Sequence, residues 1–237
     1  MIVLFWILNF LISWLNAWGC GKTWNEAKYA GGFPRLIIWS AAIMAACGFT
    51  WCYMVIAVAL GGTIQVEQDD GSMAAYLTAE QVQAVADLGY MLIIFPILGS
   101  GIVITIHAWG VAYRRRTLGS GAVAAWDTFA MVYNVSSALR NVPDATSRLG
   151  EFFFSSKGDS KGKGQLIVVM LVVLCAVAGI VTTYLIITKT AKSTARSRAF
   201  KYQAEAEVTD NTYDPYSPVQ ESQGKNYSQT PIGFHRR

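Results

Sequence analysis

Charge is what this chain has least of. Asp, Glu, Lys and Arg make up 14% of its 237 residues, whereas a soluble domain carries about a quarter. A soluble fold with so little charge needs a very large core, and small chains bury only about 60–70% of their surface. The missing charge is not spread evenly. Four runs carry none at all: Ile2–Trp18, Leu36–Leu60, Leu88–Tyr113 and Gln165–Ile187. Each is close to the roughly 20 apolar residues that cross about 30 Å of hydrocarbon. A removable secretory leader is a poor reading of the first run, because no Lys or Arg precedes it and no small-residue cleavage pattern follows.

Metal-binding and catalytic side chains are scarce as well. There are 2 histidines and 4 cysteines. Cys20, Cys47, Cys52 and Cys175 form no Cys-x-x-Cys pair and no Cys/His cluster of zinc spacing; Cys47, Cys52 and Cys175 read as small helix-packing residues. His107 lies inside the third run with no second His, Asp or Glu in any run, so it reads as a donor to a carbonyl or to the interface rather than a proton relay. No nucleophile–base pair lies at a run border, so no enzyme is expected. Gly21-Lys22-Thr23 ends like a phosphate-binding loop, but Asn16 stands where that loop needs its first glycine, and an apolar run rather than a strand precedes it. Glu67, Asp69 and Asp70 lack the spacing of a calcium loop. The net charge of +4 comes from residues scattered at run borders and in the tail, without the aromatic-interleaved stripe that nucleic acid needs. No cofactor, metal, nucleic acid or small-molecule substrate is expected.

What is present suits helices packed in lipid. Ser40, Ala41, Ala45 and Gly48 in the second run, and Ala176 and Gly179 in the fourth, are small residues at helical spacing that let backbones approach closely. Pro96, with Gly99 and Gly101, predicts a kink in the third run. That run ends at Arg114-Arg115-Arg116, a topology signal. Tryptophans such as Trp14, Trp18, Trp39 and Trp109 fall near run borders, as interfacial anchors do. Gly31-Gly32 and Pro34 mark a turn and a helix start. Thr78 followed by Gln81 resembles a capping box, so the third helix starts ahead of its apolar run.

Residues 119–154 are not apolar enough for an obvious span. Trp126, Phe129 and Tyr133 recur at helical spacing, Asn141-Val142-Pro143-Asp144 punctuates the chain, and Phe152 and Phe153 close it. This predicts two short amphipathic helices lying in the membrane interface. A flexible basic linker is expected over Ser155–Gly164. Residues 189–237 read as a basic, then polar, disordered tail. Asn134-Val135-Ser136 and Asn226-Tyr227-Ser228 match the glycosylation pattern.

The predicted fold is thus an all-α membrane protein. A small bundle of about four transmembrane helices fills residues 1–188, with interfacial or re-entrant helices at 119–154, followed by the tail. The excess of basic residues on cytoplasmic loops puts the acidic stretch Gly61–Asp87 outside, and Gly19–Arg35 and Arg114–Arg116 inside. Four spans then leave the basic flank Lys189, Lys192, Arg196, Arg198 and Lys201 outside, against that bias. Either the tail is an exception, or Gly121–Leu139 dips into or crosses the bilayer.

Without ionisable groups at mid-membrane, a coupled transporter is disfavoured. The expected function is a structural or interaction subunit of a membrane assembly, in a cell envelope, a secretion complex or a membrane-containing virion. Its partners are the lipid bilayer and other proteins or copies of itself. The alternatives are an oligomeric pore or holin-like permeabiliser, with Pro96–Gly101 as its irregular element, and an uncoupled small-molecule channel or transporter subunit.

Overall fold

The computed structural model describes residues 2–29, 32–67, 73–154 and 161–211. Gly31, Asp69, Asp70, the first part of the expected linker, and the tail from 212 with its Asn226 sequon lie outside the described residues. The elements are α1 (Ile2–Tyr29), α2 (Phe33–Thr63), β1 (Gln65–Glu67), β2 (Met73–Ala75), α3 (Ala79–Arg115), α4 (Leu118–Phe154) and α5 (Lys161–Asn211). Among the described residues the fold is all-α apart from one short hairpin. Four of its helices are long and apolar enough to cross a membrane: Val3–Glu26, Phe33–Thr63, Ala79–Arg115 and Gly162–Phe200. This fits a multi-pass membrane protein in contact with a bilayer.

Each helix end has a local cause. Gly32 precedes α2 at φ 67°, a left-handed backbone that suits glycine, and Pro34 occupies the first turn. The Ile64 amide closes α2 on Leu60 O at 2.8 Å. β1 and β2 pair antiparallel with Val66 opposite Ala74. The Leu77 amide then bonds Gly61 O at 3.0 Å, and the Leu77 side chain packs on Gly61, which pins the hairpin to the end of α2. Thr78 and Gln81 form the reciprocal capping box, Thr78 N–H to Gln81 Oε1 at 2.8 Å and Gln81 N–H to Thr78 Oγ1 at 3.2 Å. Arg116 ends α3 in the left-handed region, and Thr117 and Ser120 cap the start of α4 through paired side-chain bonds.

Two expectations are corrected. Residues 118–154 are one helix, not two, with Pro143 inside it. The proline removes one backbone bond, but contacts to α3 on both sides of it, described below, hold the helix together. The chain also stays helical past Ile187, to Asn211, so 189–211 is not an irregular tail.

The chain divides into two units, Met1–Arg196 and Ser197–Arg237. In the first, α5 threads two apolar clusters. Val168, Val172 and Cys175 pack with Cys47 and Met54 of α2 and with Val85 and Ile93 of α3. Ile186 and Ile187 pack with Ala17 and Cys20 of α1 and with Ala45 and Phe49 of α2. Glycines permit the crossings. A Cβ on Gly179 would lie 2.8 Å from Ala46 O, and one on Gly21 would lie 2.8 Å from Ile187 O. Helices in lipid gain from such close van der Waals packing, since lipid tails supply no hydrophobic drive between them. Large apolar side chains such as Leu4, Leu11, Leu92, Ile106 and Val173 point outward, the reverse of a water-soluble surface. In the second unit, 197–211 are helical and Phe200 and Tyr202 are exposed.

Candidate functional site

The most polar interior of the bundle lies between α2, α3 and α4. Asp87, at the start of the third apolar run, is only 5% exposed. Arg148 of α4 binds it with two bonds, Nε to Oδ2 and Nη2 to Oδ1, both 2.7 Å. Gln83, one turn earlier on α3, donates to Oδ1 at 3.1 Å. A carboxylate drawn out of water is stable only when paired and hydrogen-bonded, and this one accepts from three nitrogens. The planar guanidinium fork matches the carboxylate edge, which gives orientation as well as attraction.

Below this pair the polar rungs continue. Tyr90 Oη and Ser137 Oγ are 3.2 Å apart, and Asn141 Nδ2 donates to Ser137 Oγ at 3.0 Å. Further along, Thr105 Oγ1 donates to Asp127 O at 3.4 Å and Trp109 Nε1 to Thr128 Oγ1 at 2.9 Å. Two cavities flank the upper rungs. One, about 610 Å³, is walled by Met54, Val55, Val58 and Ala59 of α2 and reaches Asp87 and Arg148. The other, about 390 Å³, is lined by Asn9 of α1, Ile93 and Ile97 of α3, and Asn134 of α4. Trp51 and Tyr90 line both. Volumes of this size match small-ligand sites, which are mostly apolar with a few placed polar groups.

Ser137 is held between Tyr90 and Asn141, while His107 packs near Phe33, ring centroids 6.5 Å apart. Among the described residues no three His, Cys, Asp or Glu side chains converge on a metal position, and all four cysteines are free and buried. Lys22 lies 3.4 Å from the centroid of the Trp18 ring, a cation–π contact.

The residues singled out by sequence fall in three places. Ser40, Ala45 and Gly48 are buried and Ala41 is half-buried; Gly48 meets Ser13 and Asn9, so this face turns to α1. Gly179 meets α2, and Ala176 is half-buried one turn before it. Pro96 is exposed and Gly99 faces open space, while a Cβ on Gly101 would lie 2.9 Å from Met131 Sδ. Arg114, Arg115 and Arg116 are exposed at the α3–α4 turn. Trp126, Phe129 and Tyr133 are 65%, 63% and 66% exposed, whereas Phe152 and Phe153 stack edge to face, their carbonyls accepting from Gln165 Nε2 at 2.9 and 3.1 Å. Asn134 lies in α4 against the smaller cavity, not on an open loop.

Asp87, Arg148, Tyr90, Ser137 and Asn141 carry the site, and sequence reasoning passed over them. Asp87 stands in the sequence only as the end of the acidic stretch, and Arg148 is not singled out there; they lie 61 positions apart, and no periodicity links them. No family model, curated protein or solved structure matches this chain.

Proposed function

We propose that this protein is a non-enzymatic membrane subunit that holds a place in a larger membrane assembly. The observation behind this reading is the helical continuation of α5. Its apolar run ends at Ile187, yet the helix persists to Asn211 and presents Phe200 and Tyr202 to solvent. An isolated polar helix is marginal in water, and burying an aromatic ring against a partner contributes roughly 1.5–3 kcal/mol. A photo-crosslinking residue at Phe200, activated in native membranes, is expected to give a discrete adduct. Tyr202→Ala should weaken that adduct, and deletion of 197–237 should abolish co-purification of the same species. Equal recovery with and without 197–237 would remove the reading.

A second reading, an uncoupled channel or transporter subunit, draws on the two cavities that meet at Trp51 and Tyr90. Purified protein in liposomes would then pass small solutes, faster in Tyr90→Ala. An absence of flux at every protein concentration would end it.

A further inference from the structure

α4 is not among the helices picked out by length and apolarity, because one of its faces is polar. The direction of that face is informative. Thr128, Ser137 and Arg148 bond to α3, and Asn141 bonds to Ser137. Val123, Trp126, Phe129, Val132, Tyr133 and Leu139 turn away from the bundle and are exposed. A helix on a water-soluble surface puts its apolar stripe inward and its polar face outward. A helix in the head-group layer keeps its polar face in water. Over Val123–Leu139 α4 does neither: its hydroxyl groups bond to α3 and its apolar side chains are left bare, the pattern of a helix whose solvent is hydrocarbon. Beyond Leu139 the outward face turns polar, with Arg140, Asp144, Ser147 and Glu151 exposed.

The pairing with α3 gives the depth. Contacts run antiparallel from the Trp109–Thr128 bond, through Gly101 and Met131, to the Asp87–Arg148 pair. Thr128 and Arg148 are 20 residues apart, or about 30 Å along a helix at 1.5 Å per residue, so α4 follows α3 over a length comparable with the hydrocarbon thickness, with its exposed charges, Arg140 and Asp144, in the last third. A helix laid beside α3 over that distance goes wherever α3 goes. α5 supplies an independent check of direction. Its Gln165 end meets Phe152, while Asn25 Nδ2 of α1 donates to Ala191 O at 3.4 Å. α1 and α5 therefore run parallel, with Lys22 and Lys192 at the same end. A chain that crossed only four times would have them antiparallel.

We infer that α4 is a fifth membrane-crossing helix, its exposed apolar face in contact with lipid hydrocarbon and its Arg148 paired with Asp87 at the membrane face opposite Arg114–Arg116. This is independent of the proposed function. It gathers Lys22, Arg35, Arg114–Arg116, Lys189, Lys192 and Arg196 on one side with Glu67 and Glu80 on the other, in the sense of the positive-inside bias, and moves the exception from the basic flank of the tail to Lys157, Lys161 and Lys163.

The test uses the full chain in sealed membrane vesicles, with single cysteines at exposed positions: Glu80→Cys, Leu118→Cys, Ser147→Cys and Ser193→Cys. A membrane-impermeant maleimide is added from one side; the wild-type chain, whose thiols are buried, serves as blank. Glu80→Cys and Ser147→Cys are expected to label from one side, and Leu118→Cys and Ser193→Cys from the other. Labelling of Ser147→Cys from the same side as Leu118→Cys would overturn the inference. A nitroxide at Val132, beside the Gly101–Met131 contact near the middle of the third apolar run, gives a second reading that does not depend on sidedness. It should favour collision with oxygen over a water-soluble nickel chelate as strongly as one at Val173 of α5. A chelate response like that of Leu118 would equally overturn it.

Discussion

At the scale of the residue, Asp87 and Arg148 set the balance between cost and gain. Removing one partner of a buried pair leaves the other uncompensated, whereas replacing both is often tolerated. Arg148→Ala strands a carboxylate that has only Gln83 left to donate to it. The double variant Asp87→Asn/Arg148→Gln removes both charges and keeps hydrogen-bonding groups. In detergent, the single variant should therefore melt below the double, and thermal unfolding followed by circular dichroism reads the order directly. Two glycines give a second contrast. A side chain on Gly179 runs into the Ala46 carbonyl and the Thr50 amide, backbone atoms that have little room to move. Gly179→Leu should cost at least the roughly 1–3 kcal/mol of an overpacked core. Gly99 faces open space within a helix, so Gly99→Ala should be neutral or stabilise by up to about 1 kcal/mol, the difference in helix propensity. Equal melting of these two glycine variants would contradict the crossing geometry.

At the scale of the element, local signals were legible and long-range ones were not. Thr78 and Gln81 announced the start of α3 because a capping box is a chemical pattern three residues wide. Thr78→Ala should cost about 1 kcal/mol, appearing as faster amide exchange over the first turn of α3 with little change at Ile93 or Ile94. α4 was misread for an equally physical reason. Asn141-Val142-Pro143-Asp144 has the composition of a break, and in isolation Pro143 would make one. Here Ser137 pairs with Tyr90 before the proline and Arg148 bonds Asp87 after it, so tertiary contacts override local preference. The same polar residues lowered the apolarity of the segment. The packing sets Ser137 and Arg148 against α3 and leaves Trp126, Phe129 and Tyr133 exposed, the stripe that the inferred fifth crossing puts in lipid. The end of α5 was missed because apolarity reports where hydrocarbon ends, not where a helix does.

At the scale of the whole molecule, the order of the chain and the order of packing differ. α1 pairs with α2, α2 with α3 and α3 with α4, each with its neighbour in sequence, which periodicity and short loops make foreseeable. α5 reaches back farthest: Val168 and Cys175 fill one cluster and Ile187 the other, between helices made about 75 residues or more earlier. Without it, both clusters lie open on one side, and the glycine crossings at Gly21 and Gly179 lack their partners. This argues for assembly in two stages, each helix inserting alone and α5 then docking on a preformed α1–α4 sheet of helices. Such docking needs the surfaces to match, not the connection to be intact. A chain cut between 157 and 158, with residues 1–157 and 158–237 co-expressed, should therefore co-purify as one complex. Gly179→Leu in the second fragment should abolish that recovery, because it blocks the approach to Ala46 and Thr50 without changing the apolarity that inserts the helix. Recovery of the complex with leucine in place would show that α5 is held by its covalent neighbours or its tail, and not by the crossing with α2.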